Sequence, residues 1–261
     1  MLLLSTAFLV FLPYLWMLTT SLKPPKLTFA APHLIPAHFV WENYRIAWEA
    51  APFDRFYVNS IVMAVAIAVG QVLTSAMAGY AFDRLEFPFK NVLFFVFLAA
   101  LMIPLPLLLI PSYLIVRDLG WLNSYAALIV PRLWTPFGVL LMRQYFRTLP
   151  RELDDAALVD GSTRFGVLFR ILFPLSRPAV AALGLFAFLF AWNDFLWPLI
   201  VLDNPDKFTI QVGLAQFAGK YGTQWTSLMA GTVTATLPVL VLFILLQRWI
   251  IRGMTLGALN E

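Results

Sequence analysis

The sequence predicts an all-α, polytopic membrane protein with six transmembrane helices, and three observations carry that reading. Of the 261 residues, 61% are hydrophobic and only 12% charged. A soluble domain averages about 45–50% apolar and about 25% charged residues, so the charge here is too thin to coat a water-soluble surface. Apolar runs of about 20 residues, the length that crosses the hydrocarbon core, recur along the chain, and the polar residues gather between them. Mean hydropathy is +0.81. The same composition excludes disorder, which needs few apolar residues and much charge. Zero cysteines remove disulfides, thiol catalysis and cysteine metal sites. The two histidines, His33 and His38, give no basis for a His-rich metal centre. A net charge of +4 suits a multispanning chain whose basic residues sit in cytoplasmic loops. There is no dense basic stripe with interleaved aromatics, and nucleic acid is not an expected partner.

The first span is about 2–22, closed by Lys23-Pro24-Pro25. No basic segment precedes it, no A-x-A site follows it and Pro13 interrupts it, so it reads as a retained span rather than a signal peptide. Residues 23–57 hold prolines, both histidines and the charges Glu42, Arg45, Glu49, Asp54 and Arg55, and read as a long loop outside the bilayer. The second span, about 58–82, is rich in small residues such as Gly70, Ser75, Ala76 and Gly79, which let helices approach closely in lipid. The third, about 92–116, carries Pro104, Pro106 and Pro111, which kink a span and free carbonyls that neighbours must satisfy. The fourth, about 125–145, contains Arg132 and Pro136; the fifth is about 178–201 and the sixth about 228–251. Six spans put both termini on one side. Six arginines, Arg143, Arg147, Arg151, Arg164, Arg170 and Arg177, crowd the end of span four and its connection to span five. By the positive-inside rule that side is the cytoplasm.

This connection, 146–177, is the most polar extended region. Its local chemistry predicts two short helices meeting at Asp160-Gly161. Thr148 can cap the first, with Pro150 in its first turn, and Glu152, Asp154 and Asp155 lie near the positive end of its dipole. Gly161 suits the left-handed residue that closes a helix. Ser162 or Thr163 can start the second helix, which Pro174 ends.

Asp155-Ala156-Ala157, Asp160-Gly161 and Pro174-Leu175 with Pro178, at these spacings, resemble the E-A-A…D-G…P-L-x-x-P cytoplasmic loop of ABC importer permeases. Further matches run along nearly the whole chain: Pro13–Lys23, Asn43-Tyr44, Tyr80–Pro88, Ala191–Phe195 and Gln247–Gly257. The chain is similar to the sugar-importer branch, specifically the maltose-type second permease subunit. Asp155 stands where the family usually has Glu, a shorter arm for the same carboxylate. The resemblance implies the type I ABC importer permease fold, with the first loop helix as a coupling helix docked in a groove of a cytoplasmic ATPase. Asp155 and Asp160 would then engage the ATPase or cap backbone donors, Ala156 and Ala157 would let the helix sit deep, and Gly161 would turn the chain away. It also implies a second, homologous permease subunit, two nucleotide-binding subunits that hold ATP and Mg, an extracytoplasmic solute-binding protein and a location in the bacterial or archaeal inner membrane.

No G-x-S-x-G, H-E-x-x-H or Walker-type loop is present, so this chain is not expected to be an enzyme or to hold a cofactor or metal of its own. Three readings are open for Asp194 in Trp192-Asn193-Asp194: it lines the translocation path, caps a broken helix, or sits at the outer interface. Arg132 is a cavity or subunit-interface group, or a snorkelling side chain. Trp134, Trp192 and Trp197 are candidate cavity residues for a sugar ring, although belts and packing explain most of the aromatics. A secondary transporter and an intramembrane enzyme are the competing classes. The first is opposed by the absence of a clear repeat and of several buried carboxylates, the second by the missing motifs. A sugar or oligosaccharide is the expected solute, with glycerol phosphate or a polyol next.

Overall fold

The computed structural model describes residues 2–28, 36, 38–220 and 224–258, and every regular element among them is helical. His33 and parts of the two connections 23–57 and 203–225 lie outside the described residues. The helices run α1 (Leu2–Ser21), α2 (Glu42–Ala50), α3 (Phe53–Arg84), α4 (Lys90–Ala99), α5 (Leu105–Asp118), α6 (Tyr125–Ile129), α7 (Pro136–Arg147), α8 (Glu152–Val159), α9 (Arg164–Gly166), α10 (Phe173–Leu175), α11 (Arg177–Trp192), α12 (Leu196–Val201), α13 (Ile210–Lys220) and α14 (Trp225–Ala258). The long connections therefore contain helices of their own, α2 and α13, and α3 begins at Phe53, ahead of the expected Val58.

Among the described residues, two helices can cross a membrane unaided: α3, with mean hydropathy 2.1, and Trp225–Arg248 of α14, with 2.2. Three bent pairs raise the number to five if each is one span, and α1 adds the shorter apolar stretch Ser5–Ser21. The third, fourth and fifth spans, expected as single runs, are instead broken. Lys90–Met102 and Leu105–Asp118 meet at 103°. The residue before a proline is driven out of the helical region, and Ile103, ahead of Pro104, is extended at φ −85, ψ 115. Two prolines in three residues, Pro104 and Pro106, also remove two backbone donors. In the fourth span, Thr135 before Pro136 is likewise extended, at φ −150, ψ 131, and the two halves bend by 43°. The fifth run breaks at residues 193–195, between α11 and α12.

The helices group into two compact units. One holds the described residues up to Ser60 together with Leu202–Leu240. In it, Asn43 Nδ2 donates to the carbonyls of Ser21 and Lys23 at 2.9 and 2.8 Å, fastening α2 to the end of α1. Asn59 Nδ2 donates to the carbonyls of Asp206 and Phe208, each at 3.0 Å, while Arg55 pairs with Asp206. The Ser60 hydroxyl accepts from Ile210 N–H at 2.7 Å at the head of α13.

The other unit holds Ile61–Val201 and the described residues from Val241 onward. The small residues of α3 let α7 come close. A Cβ at Gly79 would sit 2.8 Å from the Arg143 nitrogen and 2.9 Å from Met142 Cβ, and one at Gly70 would collide with Leu133. On the facing helix, a Cβ at Gly138 would collide with Ser75 and press on Leu183 of α11 at 3.1 Å. Backbone approach of this kind is how helices gain packing contacts where lipid tails offer no hydrophobic drive. The resulting core is continuous, running from Val72, Ala76 and Tyr80 through Met142 and Phe146 to Val167, Leu172 and Leu183.

Candidate functional site

The polar connection forms two helices with a sharp turn between them. α8 starts at Glu152, with Arg151 at its N-cap and no side-chain cap bond. Thr148, expected as the cap, instead ends α7 and donates from Oγ1 to the Tyr145 carbonyl at 2.7 Å. Leu149-Pro150 pushes the start of α8 three residues on, so Pro150 precedes the helix rather than opening it. Glu152, Asp154 and Asp155 all fall in the first turn, where the exposed N–H groups favour negative charge. At the other end Gly161 has φ +81. Its N–H donates to Leu158 O at 3.0 Å, and Ser162 N–H donates to Ala157 O at 2.9 Å. These two bonds are the Schellman pattern, which satisfies the last carbonyls through a left-handed residue.

Thr163 caps the next helix, its hydroxyl accepting from Gly166 N–H at 3.1 Å. A π-helical turn, Val167–Leu172, follows. Pro174 has no N–H for the carbonyl four residues back, and the wider π register directly before it accommodates that loss. The helix runs one residue beyond Pro174, to Leu175, before the chain bends by 84° into α11.

α8 presents two different faces. Glu152, Asp155, Ala156 and Val159, spaced i, i+3, i+4 and i+7, are exposed, Val159 at 88%. Asp154 and Ala157 are buried on the opposite side. The two alanines therefore do different things: Ala157 packs into the core with Phe146, Val167 and Leu168, and Ala156 alone faces outward. Asp160 is exposed at the C-cap.

The buried carboxylate of Asp154 lies 3.5 Å from Arg84 Nε, and Arg84 Nε lies 3.3 Å from Asp83 Oδ2, with the Arg84 side chain only 4% exposed. Arg84 Nη2 also donates to the carbonyls of Phe146 and Leu149 at 3.0 and 2.8 Å. Burial pushes the Asp154 carboxyl above its ordinary range, and the Arg84 guanidinium opposes that shift. One guanidinium thus ties the ends of α3 and α7 to α8. Neither Arg84 nor Asp154 stood out in the sequence, where Asp154 and Asp155 are indistinguishable without knowing which face of the helix is covered.

A second polar cluster joins two helix breaks. Arg132 Nη2 donates to Asp194 Oδ2 at 3.0 Å, with side-chain exposures of 16% and 14%. Asp194 Oδ1 accepts from Trp197 N–H at 3.3 Å, capping α12. Trp197 Nε1 donates to the Ala127 carbonyl at 2.9 Å. The carbonyls freed at the other break are taken up by α3: Gln71 Nε2 donates to Arg132 O and Thr74 Oγ1 to Leu133 O, each at 2.8 Å. Irregular backbone at membrane depth persists only with such partners. Asn193 Nδ2 donates to Leu189 O at 2.9 Å, Trp192 is buried and stacked on Phe188, and Trp134 is exposed beside Phe97. Among the described residues no group of three or more acidic or histidine side chains could hold a metal.

Residues 71–256 match the family described as binding-protein-dependent transport system inner membrane component, which covers both polar clusters. The chain belongs to this family. Over 258 residues the permease is 37% identical to the arabinooligosaccharides transport system permease protein AraQ of Halalkalibacterium halodurans, spanning 97% of this chain and 92% of that one. It is 32% identical to the sn-glycerol-3-phosphate transport system permease protein UgpE of Yersinia pestis, over 97% of this chain and 93% of the relative. Its fold matches a chain of a bacterial ABC transporter involved in the import of the acidic polysaccharide alginate, with TM-score 0.84, 22% identity and coverage of 95% and 93%. The permease is thus a multi-pass inner-membrane subunit of an ABC importer. It works with a separate ATPase and a solute-binding protein and is not itself an enzyme.

Gly161→Val should strain the turn after α8, because a β-branched side chain at φ +81 is costly, on the order of 1–3 kcal/mol. Nothing lies within 4 Å of the added Cβ, so the effect comes from the backbone alone. Import by cells should fall while the amount of permease in the membrane holds. Parental import at normal expression would show that the turn is dispensable.

Proposed function

We propose that this permease is the second subunit of a heterodimeric carbohydrate importer, with six spans, both termini and the 146–177 connection in the cytoplasm, and α8 seated in a groove of the ATPase. The exposed stripe Glu152, Asp155, Ala156 and Val159 carries this reading. It joins a small residue and a nearly naked valine to two carboxylates, on a helix whose other face is clamped to the core. A helix so clamped transmits a push from the ATPase to α3, α7 and α11 instead of swinging freely. Asp155 and Asp160 are placed to meet polar groups of the ATPase, Ala157 supports the helix from behind, and Gly161 turns the chain away. Arg132, Trp134, Trp192, Asn193 and Asp194 belong to the part of the permease that rearranges around the solute path, with Arg132 and Asp194 holding the two breaks together.

Likeness to AraQ supports a sugar or oligosaccharide as the solute, and likeness to UgpE keeps a glycerol phosphate as the second reading. Identifying the solute captured by the cognate binding protein decides between them.

Ala156→Trp is the test of docking. The exposed position leaves the core intact, so the permease should reach the membrane in normal amount and purify with at least about tenfold less ATPase, a loss of about 1.4 kcal/mol. Full recovery of the ATPase would sink the docking face. A cysteine in place of Ser162 in this cysteine-free chain reports the side independently, and its labelling from outside intact cells by an impermeant thiol reagent would reverse the orientation.

A further inference from the structure

Between the end of α3, the start of α4 and the last turns of α7 lies an open cavity of ≈ 440 Å³ whose charged lining is Arg143, Arg147, Arg151, Lys90, Asp83 and Glu86. The three arginines are spaced i, i+4, i+8 and converge on it. None of them forms an ion pair with a carboxylate among the described residues: Arg143 donates to Phe82 O at 3.2 Å and stacks on Phe94 at 3.9 Å, Arg151 donates to Asp83 O at 3.4 Å, and Arg147 has no partner. The two acids are already engaged, Asp83 by Arg84 at 3.3 Å and Glu86 by Lys90 at 3.2 Å. The cavity thus holds three guanidinium charges that no acid among the described residues neutralises. Its rim continues into apolar surface on α4, with Phe89 78%, Val92 59% and Phe95 72% exposed. Charge in the cavity and bare hydrocarbon beside it match the two ends of a phospholipid.

We propose that this cavity binds the phosphate headgroup of an anionic phospholipid, with its acyl chains lying along α4. A guanidinium fork complements phosphate oxygens, and basic pockets between membrane helices are suited to anionic headgroups. Residence of α4 in the bilayer is required; the identity of the transported solute is not. Because Arg151 is the N-cap of α8, a bound headgroup braces the coupling helix at its start.

The test titrates labelled phosphatidylglycerol, with identically labelled phosphatidylcholine as reference, into the purified importer in mixed micelles. Phosphatidylglycerol should bind in preference. Arg147→Gln should weaken it about fivefold, and the triple change of Arg143, Arg147 and Arg151 to Gln by about a hundredfold. Arg147→Lys should weaken it less than Arg147→Gln does, since the charge persists and only the guanidinium fork is lost. Arg170→Gln, an equal loss of charge on an exposed part of the 164–175 helix, should change nothing. Arg147 is exposed and, among the described residues, unpartnered, so its single substitution tests binding without risk to folding. Equal affinity for the two lipids, or unchanged phosphatidylglycerol binding in Arg147→Gln, would overturn the proposal. Displacement by inorganic phosphate at the same concentration as by glycerophosphoglycerol would make it a soluble-anion site instead. Loss of ATPase from the triple variant with lipid binding intact would assign the surface to the protein partner.

Discussion

Arg84→Ala should be the most damaging single change around α8. The side chain is nearly fully buried and serves two carboxylates and two carbonyls at once. Removing one partner of a buried ion pair costs about 3–5 kcal/mol, because the other charge stays behind uncompensated. Each orphaned carbonyl adds about 1–3 kcal/mol where water cannot reach it. Partial relaxation will absorb some of this, and a lower thermal midpoint of the purified importer and poor ATPase recovery are the expected readouts. Asp154→Asn should be far milder. Burial raises the folded-state pKa of Asp154 above its unfolded value, so the folded chain holds that proton more tightly than the unfolded one. The stability this group contributes is therefore greatest at low pH and declines as pH rises through the raised pKa. At neutral pH the ionised carboxylate is the costly form, asparagine removes that cost, and Asp83 still neutralises Arg84. The net change should be about 1 kcal/mol or less. An unchanged midpoint for Arg84→Ala, or equal damage from Asp154→Asn, would show that Arg84 does not anchor α8.

That asymmetry also marks where reading the sequence stops. Composition settles the membrane, and Gly161 is legible because a left-handed turn has few other solutions. Helical phase is not legible. Ala156 and Ala157 are adjacent letters about 100° apart on the helix, and only packing decides which faces the core. Asp154 and Asp155 divide in the same way. Proline positions are visible, but whether a proline kinks a span or breaks it depends on who receives the freed carbonyls. Gln71 and Thr74 are the receivers at the second break. Their signal was present, as polar side chains within an otherwise apolar span, yet their partners lie about sixty residues away in sequence and no local pattern links them. Arg132 and Asp194 are both visible as charges inside apolar runs, but only the folded chain puts Asp194 at the head of α12 as its cap and against Arg132.

Charge and capping can be separated at Asp194. Asp194→Asn keeps an oxygen for Trp197 N–H but leaves Arg132 with no counter-charge. Asp194→Ala loses both, while Arg132→Met leaves the carboxylate capped but unpaired. Breaking this largely buried pair from either side should cost about 3–5 kcal/mol, with alanine worse than asparagine by about 1 kcal/mol for the lost cap. The double variant Arg132→Met with Asp194→Asn removes both charges and keeps the cap. It should be more stable than the sum of the singles by up to about 3 kcal/mol, the range for groups in direct contact. Thermal unfolding of the four proteins gives the cycle, and small, additive effects would show that the breaks are held by packing alone. If the coupling is found, transport by the double variant becomes the informative measurement. A restored fold with import still absent would mean that the ion pair acts on the solute path as well as on the helices, whereas restored import would confine it to joining the two breaks.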